Sequence, residues 1–229
     1  KAGVMPIYFA RLWTEKCNKS GQQVLVDEFV DSLQQDYANQ QMTWALTAYD
    51  ATLRGAWQQA LDALAEARER GFWNAESALN RAVALERMFR PEEAIEEIDR
   101  FAELANDVRA WRVRALSMKQ QKRYREAIDT FKPLLKNREE ESQSPDKNIA
   151  DLWLTLGGMH DRLGEYDEAI KIFGKLIERS NDIQKKQEIL GELSEIHFSI
   201  GKLDKALKRV EEGLSLNDHD DIMNCKLLS

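Results

Sequence analysis

The sequence predicts an all-α chain of stacked antiparallel helix pairs, and three observations carry that prediction. Apolar residues fall at helical spacing, not in alternation, through most of the 229 residues. Five alanines, Ala60, Ala94, Ala127, Ala169 and Ala206, recur at separations of 34, 33, 42 and 37. The same residue types return at fixed offsets around each of them. Twelve residues before, the side chain is small: Ala48, Ala82, Ala115, Gly157 and Ser194. Four after, it is a large apolar one: Leu64, Ile98, Phe131, Phe173 and Val210.

One stretch, Leu152 to Arg179, shows why such a pattern folds as a hairpin of helices. Two antiparallel helices approach closely only where their side chains are small. Gly157 and Ala169 supply that crossing, while Trp153, Leu156 and Phe173 fill the space beside it. Gly164 lets the chain leave the first helix, because glycine tolerates positive φ. Asp167 and Glu168 then stand in the first turn of the second helix, where the helix dipole favours acids.

The elements follow in order. Residues 1–40 read as a degenerate N-terminal pair broken near Ser20-Gly21, with Trp13 a candidate core residue. Gly21 lies 34 residues before Gly55, which keeps the register, but Val26 replaces the anchor alanine and predicts looser packing. Five regular pairs are expected at about 41–74, 75–107, 108–149, 150–186 and 187–218. The second is the poorest, with Arg81 where a large apolar residue is usual; Pro91 suits the start of its second helix. Trp73 is expected in the connection after the first pair, packing with Phe72. Residues 137–148, NREEESQSPDKN, read as a solvated loop carrying Ser142 and Ser144. Residues 219–229 read as the start of a capping or continuing helix, with Ile222, Met223, Leu227 and Leu228 in need of cover. A stacked array needs polar ends, and neither end here is clearly polar. The expectation is a piece of a longer protein, or ends covered by a partner or a second copy.

This period and pattern resemble the tetratricopeptide repeat family, most fully at Trp153, Leu156, Gly157, Gly164, Tyr166, Ala169 and Phe173. The resemblance spans roughly 41–218. It implies a right-handed α-solenoid, a tetratricopeptide-like superhelix, in which the first helix of each pair lines a concave groove. The groove positions then fall 18, 15, 11 and 8 residues before each anchor. They are Met42, Ala45, Tyr49 and Thr52; Glu76, Leu79, Val83 and Glu86; and Arg109, Arg112, Leu116 and Lys119. The last two pairs contribute Asp151, Leu154, Gly158 and Asp161, then Glu188, Gly191, Glu195 and Phe198. Some family members grip a C-terminal carboxylate with a clamp of Lys, Asn and Arg. Here Asn80 and Arg109 fall in clamp-like slots, but Ala45, Tyr49 and Val113 stand where clamp residues would be, so that activity is not expected.

Composition narrows the function. Charged residues make up 32% of the chain and the net charge is −7, which disfavours a general nucleic-acid binder. No apolar run approaches the ~18 residues of a membrane span, and no targeting segment is visible, so the expected location is cytoplasmic. Two cysteines, Cys17 and Cys225, do not make a disulfide framework. There is no phosphate-binding glycine loop and no arguable nucleophile set, so neither an enzyme nor a cofactor is expected. His160 and His197 each lie nine residues before an anchor, in a slot facing the inside of the pair. Packing is favoured over a metal there, because sites usually need three or four ligands. Trp44, Trp57, Trp111 and Trp153 fall in core slots.

Charge is sorted along the chain. Between Val108 and Arg138 ten basic residues face only Glu126 and Asp129. The leading reading is a non-catalytic interaction scaffold that binds a protein segment, its basic third repeat favouring acids. The expected contact residues are Tyr49, Asn80, Val83, Arg109, Arg112, Leu116, Lys119, Leu154, Asp161 and Glu195. The alternative is an accessory region of a larger multidomain enzyme or assembly machine. Self-association through the apolar ends stays open in both.

Overall fold

A computed structural model describes residues 14–17, 19–37, 39–141 and 147–227. Of residues 23, 41, 138–141, 147 and 217–227 it describes the backbone alone. Among the described residues the regular structure is helical: α1 (Gln23–Tyr37), α2 (Gln41–Leu53), α3 (Trp57–Glu69), α4 (Ala75–Arg87), α5 (Pro91–Asp99), α6 (Val108–Gln120), α7 (Tyr124–Glu141), α8 (Lys147–Arg162), α9 (Tyr166–Arg179), α10 (Ile183–Ser199) and α11 (Leu203–Leu227). A 3-10 turn, Ala102–Asn106, joins α5 to α6. The chain divides into two compact units, residues 1–117 and 118–229. Trp13, Ser142, Ser144 and Leu228 lie outside the described residues, as do the side chains of Ile222, Met223, Cys225 and Leu227.

In residues 1–117 the anchors do what their size predicts. Ala60, Ala78, Ala82 and Ala94 are fully buried in one cluster with Leu85 and Ile98. Trp73 packs against this cluster and against Ala48, Ala63 and Leu64, with the Arg68 guanidinium 4.9 Å above its ring. Arg81, the misfit of the second pair, reaches across to Glu97 on α5 at 2.6 Å, and Arg100 reaches the same carboxylate at 3.0 Å. Glu97 is 0% exposed, so an ion pair with a buried carboxylate stands where α8 and α9 bring Leu156 and Ile172. Val26, in the anchor slot of the N-terminal pair, is fully buried against Cys17 and Val30.

In residues 118–229 α8 and α9 cross closely at Gly157. A Cβ on Gly157 would stand 2.4 Å from Cε1 of Phe173, so only glycine fits. Ala169, Ile172, Phe173 and Leu176 pack with Ile189, Leu193 and Ile196 of α10. Turn geometry repeats throughout the chain. Gly55, Gly164 and Gly201 have φ of +71°, +73° and +76°. Phe89 and Lys122 hold the equivalent slots at φ of +57° and +59°, a conformation that costs an L-residue ~1–2 kcal/mol.

One expectation is corrected. The loop expected at 137–148 is shorter, because α7 runs on to Glu141 and α8 begins at Lys147. The residues after Lys136 are sound helix formers, and nothing stops the helix before the Ser- and Pro-containing stretch. At the other end, where a capping or continuing helix was expected from 219, α11 itself continues without a break to Leu227. The segment has neither Gly nor Pro after Gly213 to end it.

Candidate functional site

Five first helices, α2, α4, α6, α8 and α10, carry the predicted contact positions. On α2 and α4, Tyr49, Asn80 and Val83 are half-buried, so each keeps an accessible edge. Leu79 and Glu86, expected beside them, are buried at 3% and 6% exposure and are corrected to core-side positions. The reason is local: Leu79 joins the cluster around Ala82, next to Ala78.

On α6, Arg109 is exposed, whereas Arg112 and Leu116 are half-buried. Arg109 is not a free cation. Its Nη2 lies 2.7 Å from Asp107 and 3.1 Å from Glu76 of α4. The Asp107 bond, with help from Glu76, pushes the guanidinium well above its ordinary value. Burial works against the Asp107 carboxylate, yet the bonds from Arg109 outweigh it and hold its pKa down. The basic segment is therefore compensated in space by acids distant in sequence. Arg114 pairs with Asp99, Arg125 with Glu165, and Lys132 with Glu168 at 3.5 Å.

In residues 118–229 a second charged cluster forms. The Lys119 amine lies over Gly158, 3.7 Å from where a Cβ would be. Near it stand Glu192 and the expected Asp161 and Glu195. Burial raises the Glu192 carboxyl, the charges of Glu195, Asp161 and Glu188 raise it further, and Lys119 opposes them. Leu154 offers a half-buried apolar edge on the same helix as Asp161. Asp151 and Glu188 are both taken by Lys185, at 2.8 and 3.0 Å. Glu192 and Lys185 are the residues that register counting missed. Lys185 precedes Glu188 by one helical turn, which was the available signal.

His160 and His197 are buried. His160 Nδ1 lies 2.6 Å from Glu165, just beyond the turn. His197 has its pKa lowered by burial first and by the charges of Arg209, Lys205 and Lys202 second. Among the described residues no group of three or more His, Cys, Asp or Glu side chains converges to hold a metal. Nor is any described helix long and apolar enough to cross a membrane.

With the geometry in place, the comparisons identify the class. Residues 112–182 match the family model described as tetratricopeptide repeat, and this part of the chain is made of such repeats. Solved structures agree on the fold. MamA from Desulfovibrio magneticus RS-1 is 15% identical with a TM-score of 0.62, over 79% of this chain and 97% of that one. The apo quorum sensor NprR from B. thuringiensis is 17% identical with a TM-score of 0.72, over 99% of this chain and 70% of that one. Aspartyl phosphate phosphatase F from Bacillus subtilis is 19% identical with a TM-score of 0.65, over 83% of this chain and 55% of that one. These likenesses show an all-α array of stacked helix pairs. No curated protein matches the chain.

Proposed function

We propose that the chain is a non-catalytic interaction scaffold whose first helices bind a protein segment. The five pairs at about 41–74, 75–107, 108–149, 150–186 and 187–218 are its repeating frame. The carrying observation is the cluster of Lys119, Asp161, Glu192 and Glu195 over the open backbone of Gly158. There burial first, and the charges of Glu195 and Asp161 after it, raise the Glu192 carboxyl. A basic side chain from a bound segment would relieve that repulsion, and Leu154 beside it offers apolar contact. Arg109 and Arg112 on α6 would favour acids, although Arg109 must exchange Glu76 or Asp107 for them. A cytoplasmic location fits this reading.

Selection from a displayed random peptide library, followed by anisotropy titration, tests it. Selected peptides are expected to carry basic residues, and Glu192→Gln/Glu195→Gln should weaken them by about tenfold, near 1.4 kcal/mol. Arg109→Glu/Arg112→Glu should weaken those that also carry acids. Affinities unmoved by both variants would count against the first helices as the binding face.

A second reading has its own observation. On α11, Leu203, Leu207 and Leu214 are 56%, 63% and 65% exposed. In register they match Tyr166, Ile170 and Ile177 of α9, which pack into the cluster shared with α10. An accessory array covered there by more of the same protein would explain them. Reading the gene on either side of Lys1 and Ser229 decides it.

A further inference from the structure

The slot eight residues before the anchor holds Thr52, Glu86, Lys119 and Asp161 in the first four regular pairs, and Phe198 in the last. Packing does not call for that ring, which is 67% exposed. Phe198 lines an open cleft of about 610 Å³ between α10 and α11, within the size range of ligand pockets. Leu203, Leu207 and Val210 of α11, all exposed, supply its apolar wall, and Glu195 of α10 lines it too. Glu195 is also the charge that acts most on Glu192, ahead of Asp161. The carboxylate cluster and the apolar cleft therefore share a residue. At about 100° per residue, Glu195 falls between Glu192 and Phe198 around α10. Gly191 lies on the same side, and a Cβ there would meet nothing within 4 Å, so the backbone between cluster and cleft is open to a bound chain.

We propose that a bound segment is read here in two adjoining parts: a basic residue over Glu192 and Glu195, and a large apolar residue two positions away, seated in the cleft against Phe198 and Leu207. This rests on the first-helix reading of the function and adds the apolar half of the recognised motif. The spacing follows from chain geometry. An extended segment turns residues i and i+2 to the same side, ~7 Å apart. Glu195 and Phe198 are about 4.5 Å apart along the axis of α10, and the cleft continues from there onto α11. Charge selects the occupant. The carboxylates beside the cleft attract a segment that is basic next to its apolar residue. A second copy seated about a two-fold axis would bring the same acids against themselves. Leu203 and Leu207 thereby gain a cover other than more of the same protein.

The probe is fluorescein-labelled Ser-Leu-Ser-Arg-Ser-Leu-Ser, which offers an apolar residue two positions from the arginine in either chain direction, titrated against the full chain by anisotropy. Its control is the same peptide with Ser for both Leu. Phe198 and Leu207 are exposed, so Phe198→Ser/Leu207→Ser should keep the fold, checked by circular dichroism, with Phe198→Ser alone as the milder variant. The expected result is saturable binding of the Leu peptide that weakens about tenfold in the double variant. The Ser peptide should bind the parent about tenfold more weakly than the Leu peptide, and bind parent and double variant alike within about twofold. Weakening by Glu192→Gln/Glu195→Gln together with indifference to both Phe198 variants would overturn the proposal and leave the first-helix reading standing. Absence of binding, or indifference to the glutamate variant as well, would remove both. Self-association of the chain in sedimentation velocity, lost in Phe198→Ser/Leu207→Ser, would assign the cleft to a second copy and overturn the proposal.

Discussion

The pair α4–α5 and the pair α8–α9 occupy the same register of the repeat and share a crossing of small residues, but beside that crossing they differ in chemistry. In α8–α9, a glycine and an alanine let the backbones meet, and one edge of the Phe173 ring lies against the bare Gly157. In α4–α5, Arg81 spans the gap to a fully buried Glu97. The repeat therefore constrains volume and satisfaction of polar groups, not residue identity. One pair is sensitive to added atoms, the other to an unpaired charge.

The largest expected effect breaks the polar pair. Arg81→Met strands the Glu97 carboxylate with Arg100 alone and should cost about 3 kcal/mol in denaturant unfolding. The double variant Arg81→Met/Glu97→Met should recover most of that loss, because apolar replacements of buried pairs are often neutral or better. A double variant as unstable as the single one would show that the ion pair is not the weak point.

Next comes the apolar crossing. Gly157→Ala and Ala169→Leu should each cost ~1–3 kcal/mol by overpacking, seen as lowered melting temperature. Adding Phe173→Leu to Gly157→Ala should return part of the loss, since the ring is what the new methyl meets. Melting curves matching the parent would remove the close approach from the account.

The turns sharpen the same contrast at smaller scale. Phe89 is 80% exposed and held at φ +57° where other pairs have glycine. Phe89→Gly relieves that conformation, partly offset by the greater freedom of glycine in the unfolded chain. A net gain of about 0.5 kcal/mol is expected, whereas Gly164→Ala should lose about 1. Loss of stability in Phe89→Gly would contradict the shared turn geometry.

The smallest effect is a pH dependence. His197 has its folded pKa below the ordinary 6.5 through burial, reinforced by Arg209, Lys205 and Lys202. The folded state prefers the neutral ring, so stability is full above pH 6.5 and falls as pH drops through it, where the unfolded chain binds the proton first. Unfolding midpoints taken from about pH 7.5 to about pH 5.5 should fall in the parent and fall less in His197→Gln.

These contrasts explain what the sequence made legible. Ala60, Ala94, Ala127 and Ala169 were readable because close helix approach permits few side chains, and each is fully buried. Gly55, Gly164 and Gly201 were readable because positive φ selects glycine. Phe89 and Lys122 were not, since the backbone adopts that conformation there in spite of the residue. Contacts across helices were the least readable. Arg81 and Glu97 are 16 residues apart and Arg109 and Glu76 are 33 apart, and long side chains can reach several neighbours from one position. For that reason much of the block of positive charge read along the chain became, in space, a set of ion pairs.

The central claim is that first helices receive a protein segment. Methyl NMR spectra of the chain, titrated with a library-selected basic peptide, test it most directly. The account predicts shifts at the Leu154 methyls that vanish with Glu192→Gln/Glu195→Gln. Shifts confined to methyls of α7, α9 or α11, with Leu154 unmoved, would contradict it.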